Sequence, residues 1–333
     1  MSIRWILPLL VVMGAVMNQA VAEDDLWVSY EGGEGIGKGK HIVFVTGDDE
    51  YRSEEACPQL AKILSVRHGF KTTVLFAIEP KSGAIKPDHQ TNIPGMHHLA
   101  TADMMVVFLR FRHLPDEDMK FFDDFVNSGK PILGMRTATH SFNYKNQDSK
   151  YYKYHWRASE WKGGFGQEVL GDTWISHHGH HKKESTRGII NPKFKDHPIL
   201  RGVKDIWGPT DVYGIRNLKD AEVLVHGQVL TGMKPDDGPV EGAKNDPMMP
   251  LFWTKSFKGS NGKTSKVICT TMGASVDCEN EGVRRFLINS VLWGVGLDVP
   301  EMTNVEIVGE FKPTFYGFGS FTKGIKPSDH KLR

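Results

Sequence analysis

Residues suited to acid–base chemistry gather in four short stretches of the chain. Asp48, Asp49, Glu50 and Arg52 form the first, Arg110, Arg112 and His113 the second, and Arg136 to His140 the third. The fourth, His177-His178-Gly179-His180-His181, holds four of the 15 histidines. A carboxylate such as Glu50 or an imidazole such as His140 can remove a proton or activate water. A fixed guanidinium such as Arg136 can steady an oxyanion as it develops. Imidazole is also the commonest metal ligand, so a divalent ion such as zinc or manganese is one reading of the histidine run. In an extended segment His177 and His181 share one face and His178 and His180 the other, so one ion would take two of them. Its other ligands would come from Asp48, Glu50, His140 or His197. Histidines that bind a ligand without metal, or a solvated loop, are the competing readings, and no metalloprotease helix motif is present.

Aromatic residues crowd the stretch after His140: Tyr151, Tyr152, Tyr154, Trp156, Trp161 and Phe165. Such rings stack on sugar C–H groups, while Asp, Arg and His bind the hydroxyls. Ordinary packing of an insertion on the core is the alternative. A rim that combines both classes favours a polyhydroxylated ligand over an apolar one.

The elements that position these residues alternate. Apolar runs at His41–Val45, Thr72–Phe76, Asp103–Leu109 and Pro131–Met135 read as strands. The first helix has Pro58 in its opening turn, Leu60, Ile63 and Leu64 on one face, and Gly69 as its cap. The second opens at Pro115, aligns Met119, Phe122 and Val126, and ends before Gly129. Continuous apolar strands separated by amphipathic helices imply an α/β fold, with an open, mostly parallel sheet and helices on both faces. Ligands of such sheets bind beyond the carboxyl ends of the strands, and the first three polar stretches follow strand ends.

The second half is more elaborate, with strands expected at Ala221–Val225, Met249–Trp253 and Val267–Thr271 and a helix at Val283–Val295. Residues 1–22 read as a secretory signal peptide: Arg4, an apolar run from Trp5 to Val16, then Ala20-Val21-Ala22. Residues 23–39 form a Gly-rich lead, 40–297 one α/β domain, and 298–333 a tail that wraps the surface or frays. Three cysteines, Cys57, Cys269 and Cys278, leave a Cys269–Cys278 bridge and buried free thiols both open. A formal charge of +1, from 41 basic and 40 acidic residues, argues against a nucleic-acid partner. No nucleotide cofactor is expected: Gly32–Lys38 resembles a phosphate loop but has Gly39 in place of Ser or Thr and precedes the first strand. No stable membrane span is expected after cleavage, and the oligomeric state cannot be read from the sequence.

The run Gly134-Met135-Arg136-Thr137-Ala138 resembles the strand-to-helix elbow of the class I glutamine amidotransferase-like, flavodoxin-like fold, whose G-x-C-x-G carries a cysteine nucleophile. Arg136 stands in the nucleophile position. A guanidinium stays protonated and cannot attack a carbonyl, so glutaminase and cysteine-protease activities are set aside. A cation at a helix start would instead favour a ligand oxygen with negative charge; pairing with Asp48 or Glu50 is the alternative.

Further motifs resemble the ThuA-like (trehalose utilisation) branch: Gly47-Asp48-Asp49-Glu50, Asp196-His197-Pro198, Asp211-Val212-Tyr213, Pro250-Leu251-Phe252-Trp253 and Val267 to Gly273. The sequence departs from the family at Arg136, where His is frequent, and at Gly273-Ala274, where the family has Gly-His. The resemblance implies an enzyme of sugar or keto-sugar metabolism, acting as a hydrolase, lyase or isomerase, and the leader implies export, periplasmic or secreted. Glu50, Arg136 and His140 are the expected catalytic residues. Asp48, Asp49, Arg110, Arg112, Thr137, Tyr154, Trp156, Asp211 and Tyr213 are expected to bind a small carbohydrate-like ligand. His177, His178, His180, His181 and His197 are the metal candidates. The alternatives are a non-catalytic carbohydrate-binding protein and a metal-dependent hydrolase built on the histidine run.

Overall fold

The computed structural model describes residues 25–332, so the leader expected at residues 1–22 lies outside the described residues. The first half contains β1 (Trp27–Tyr30), β2 (His41–Gly47), α1 (Ser53–His68), β3 (Lys71–Leu75), β4 (Met104–Leu109), α2 (Asp116–Val126) and β5 (Ile132–Met135). The second contains β6 (Thr186–Ile190), β7 (Trp207–Gly208), β8 (Ala221–Val229), β9 (Met249–Lys258), β10 (Thr264–Thr270) and α3 (Glu281–Gly294). All ten strands join one mixed sheet in the order β1-β3-β2-β4-β5-β10-β9-β8-β6-β7.

The centre of the sheet, from β3 to β10, is parallel. Strands β2 and β4 are buried along their whole length, which is why they read as unbroken apolar runs. Successive side chains of β2 enter different clusters. Ile42 and Phe44 pack with Leu60 and Ile63 of α1 and Phe286 of α3. Val43 and Val45 pack with Met119, Phe122 and Val126 of α2. The chain leaves β2 for β3 on one side, then crosses back to β4 on the other. The loops after β2 and β4 therefore diverge and open a crevice at the carboxyl ends of the sheet.

Four expectations change. The mostly parallel sheet expected is found in its centre only: β1 pairs antiparallel with β3, and β9, β8, β6 and β7 extend the other edge antiparallel. Only residues 259–263 join β9 to β10, and so short a connection permits no parallel crossover. Strand β1 lies within the supposed Gly-rich lead; four residues give too little pattern to recognise. Helix α1 starts at Ser53, after Arg52 in the left-handed region (φ 61°), so Pro58 sits inside it rather than in its opening turn. Gly69 caps it as expected, at φ 79°. The fourth change is at the elbow: residues 136–140 form a short 3-10 turn instead of opening an α-helix. The three cysteines are free and buried. Among the described residues, no helix is long and apolar enough to cross a membrane.

Candidate active site

Arg136 follows β5 directly and adopts φ 44°, a sharp left-handed turn that swings its side chain across the end of the sheet. The guanidinium does not reach solvent. Its Nη1 donates to the carbonyl oxygens of Asp211 (2.7 Å) and Thr271 (2.5 Å), and its Nη2 to Asp211 Oδ1 (3.2 Å). The Tyr51 and Tyr213 rings cover it at 4.3 and 3.9 Å from their centroids. Both partners of the Arg136–Asp211 pair are wholly buried. This corrects the expectation that Arg136 meets a ligand oxyanion. Its Nη donors are committed to the protein, its Nε–H is buried without an acceptor among the described residues, its counter-ion is neither Asp48 nor Glu50, and a five-residue 3-10 turn supplies no α-helical N-terminus. Arg136 is a positioning residue that fixes Asp211.

Asp211 distributes that constraint. Its Oδ2 accepts from His177 Nδ1 at 2.6 Å and its Oδ1 from His181 Nδ1 at 3.1 Å. The histidine loop reaches Asp211 because His177 bridges Tyr213 and the N–H groups of His178 and Gly179 donate to the Val212 carbonyl. A Cβ on Gly179 would stand 3.1 Å from that of Asp211, a tight contact that glycine avoids. The Nε2 of His181 contacts Glu50 Oε1 at 3.2 Å. Hydrogen bonds to Asp211 and then Glu50 push the His181 pKa up to about 9, so the ring is an imidazolium at neutral pH. Burial alone would raise the Asp211 carboxyl, but Arg136 and the two imidazoles hold it below the usual carboxylate range.

An open cavity of about 470 Å³ lies over this assembly, lined by Glu50, Arg110, His140, Trp174, His177, His181, Lys182, Tyr213 and Phe318. Burial, reinforced by Arg110 and Arg136, drives the His140 pKa well below its ordinary value, so this imidazole is neutral. The Thr139 hydroxyl donates to the Arg136 carbonyl (3.4 Å) and lies 3.2 Å from His140 Nδ1. Neither His140 Nε2 nor His177 Nε2 has a partner among the described residues. Arg110 binds Asp49 Oδ1 at 3.0 Å, lies 3.7 Å from Glu50 Oε2, and sits against the Phe111 and Phe318 rings.

The structure thus brings Glu50, Arg110, His140 and Tyr213 to one cavity, adds His177 and His181, and separates the rest. Asp48 is buried beneath: it accepts the N–H groups of Glu50 and Tyr51 and the Thr137 hydroxyl, fixing the loop after β2. Thr137 is used up in that contact, and Asp49 in holding Arg110. Arg112 is buried on the carbonyls of Pro87, His89 and Arg110. Tyr154 is core: its ring packs with Phe122, Phe142 and Phe165, and its hydroxyl donates to Asp123 at 2.7 Å. Trp156 lines a neighbouring cavity instead. Of the metal candidates, His178 turns to the Lys244 carbonyl, His180 pairs with Glu184, and His197 packs against Trp293 with the rings tilted. His177, His181 and Asp211 remain, each offering one donor atom, all within 4.8 Å of one another.

Sequence reasoning missed Trp174, Lys182, Tyr316 and Phe318. Lys182 follows the histidine run directly and could have been included with it. The two tail residues carried no such signal. Tyr316 stacks on Tyr51 and packs near His181, and Gly317 N–H donates to the Glu50 carbonyl, so the tail wraps over the site rather than fraying.

The family profile described as ThuA, trehalose utilisation, matches residues 42–294. The chain belongs to the ThuA family. Two solved ThuA-like proteins are similar to it. One, from Bacteroides uniformis, shares 16% identity over 78% of this chain and 92% of its own, with a TM-score of 0.44. The other, from Parabacteroides merdae, shares 13% identity over 84% and 98%, with a TM-score of 0.48. At these values the two structures carry no functional weight. No curated protein matches the chain. Phe318, which lines the cavity, and Tyr316, which packs beside it on Tyr51 and His181, lie outside the span matched to ThuA.

Proposed function

We propose that this ThuA-family protein is an exported enzyme that moves protons on a sugar or oxidised sugar held in the 470 Å³ cavity. The observation that carries the reading is the Asp211–His177 pair, 2.6 Å between Oδ2 and Nδ1, with His177 Nε2 open to the cavity beside the neutral His140. A carboxylate behind an imidazole fixes its orientation and stabilises the imidazolium formed on proton uptake. No serine or cysteine stands among the lining residues, so the proton acceptor works on the substrate itself or on water.

For a sugar bearing a carbonyl, His177 Nε2 removes the proton from the adjacent carbon, and the electron pair moves to the carbonyl oxygen as an enolate. The Lys182 ammonium, which lines the cavity with no ion-pair partner among the described residues, supplies the positive charge that stabilises it, because both N–H groups of His181 are held by Asp211 and Glu50. Return of that proton to the former carbonyl carbon, with the hydroxyl proton of the deprotonated carbon passing to the enolate oxygen, gives isomerisation. Expulsion of a β-oxygen substituent, protonated from His177, gives elimination. Glu50 accepts a ligand hydroxyl, and Trp174 and Phe318 offer faces for the ring.

The test is turnover of a panel of keto-glycosides by wild type and by His177→Gln and His140→Asn, with calorimetry on each. The expected result is a loss of at least ~100-fold in kcat for His177→Gln, with ligand affinity retained. Binding without product in the wild type would favour the non-catalytic reading. Wild-type turnover in both variants would remove the assigned roles.

One observation favours a second reading: the clustering of His177, His181 and Asp211 would suit a divalent ion and a metal-dependent hydrolase. In this structure the Nδ1 atoms of both histidines face Asp211. Stoichiometric metal in the purified protein, with activity lost to chelator, would replace the proton-transfer reading.

A further inference from the structure

Trp174 lines a second cavity as well, of about 650 Å³, within the ~300–1,000 Å³ usual for ligand sites. Polar contacts to the backbone fix its walls. The Asp172 carboxylate accepts the N–H groups of Arg216 and Asn217 at 2.7 and 2.9 Å, and the Gln167 amide donates to the Gly171 and Asn217 carbonyls. Trp156 stands 6.4 Å from Trp174 between ring centroids, and the Trp174 indole N–H has no acceptor among the described residues. An aromatic face shared by both cavities, with a second beside it in the larger one, suits a chain of sugar rings rather than one ring.

The charge of the second cavity differs from that of the first. Arg157, Lys162, Lys219 and Lys255 line it against only Glu168 and Asp220. Lys162 and Lys219 have no ion-pair partner among the described residues, and Lys255 donates to the backbone carbonyl of Glu168 at 3.3 Å, not to its carboxylate. Ammonium groups without counter-ions beside aromatic faces select an anionic ligand over a neutral one.

We infer that this cavity is a subsite for a uronic-acid unit of an oligosaccharide whose neighbouring unit occupies the His140–His177 cavity. The ring stacks on Trp156 and Trp174 and the carboxylate meets Lys162, Lys219 and Lys255. The inference rests on the sugar reading of the first cavity and narrows its substrate class to acidic glycans.

Calorimetry on the full chain with trigalacturonate, its methyl ester and a neutral cello-trisaccharide tests it at low and high salt. The acid should bind at least tenfold more tightly than its ester at low salt, and the preference should shrink at high salt. Lys162→Ala/Lys219→Ala should abolish the preference while affinity for the neutral trisaccharide and melting temperature stay unchanged. Equal affinity for acid and ester, or a preference that survives the double variant, would overturn the inference. The two readings fail separately. Acid preference without turnover of any keto-glycoside sinks only the catalytic proposal, and turnover of neutral substrates with no acid preference sinks only the subsite.

Discussion

Replacing Asp211 by asparagine keeps the size of the side chain and removes the charge on which the site converges. In the variant Arg136 keeps the Thr271 and residue-211 carbonyls and its two tyrosine faces, but loses the carboxylate at 3.2 Å in a place without water. Breaking a fully buried pair from one side costs about 3–5 kcal/mol, because the remaining charge stays desolvated. The rings and the nearby Asp277 carboxylate offset part of this, which places the loss near the lower end. That corresponds to a fall in Tm of roughly 5–10 °C for a chain of this size.

The assay is denaturant unfolding of wild type, Asp211→Asn, Arg136→Met and the double variant. The double variant should recover at least ~1 kcal/mol relative to the sum of the single losses, since it leaves no orphaned charge. The alkaline limb should change too. His181 has its pKa raised to about 9, so its contribution is fully present below about 6.5 and fades as pH rises through 9. Partial exposure limits that contribution to about 1 kcal/mol. In Asp211→Asn the His181 titration, followed by NMR, should fall toward 6.5. An Asp211→Asn loss below 1 kcal/mol, strict additivity, or an unmoved His181 titration would each refute the reasoning.

Phe318 is 61% exposed yet lines the cavity, so Phe318→Ala should leave Tm within about 2 °C and weaken sugar binding roughly two- to tenfold by calorimetry. Tyr154→Phe should cost about 1 kcal/mol in urea unfolding through its lost bond to Asp123, with ligand affinity unchanged; a tenfold drop in affinity would return Tyr154 to the ligand. Burial raises the pKa of all three thiols, so Ellman's reagent at pH 8 should find none in the native protein and three per chain in denaturant. Fewer than three in denaturant would reveal a bridge.

What the sequence determined by itself is local. Unbroken apolar runs marked β2, β4 and β5 because both faces of those strands are covered, and the polar residues after β2 and β4 marked the rim for the same reason. The spacing of His177 and His181 held their common orientation, since both rings meet Asp211. Tertiary structure decided which polar groups stay open to a ligand. Arg136 and Asp211 lie 75 residues apart, and nothing in either segment announces that one will bury the other. The same applies to Tyr154, an aromatic residue that suits a sugar or a core equally until Asp123 is seen beneath it. It applies again to Phe318, which reaches the cavity because residues 314–317 are pinned to α1 and the loop after β2. Hydrophobic periodicity is written within one element, whereas desolvation and counter-ions depend on which distant segments meet. Elements can therefore be read from the chain, while the charge state of each functional group waits on the fold.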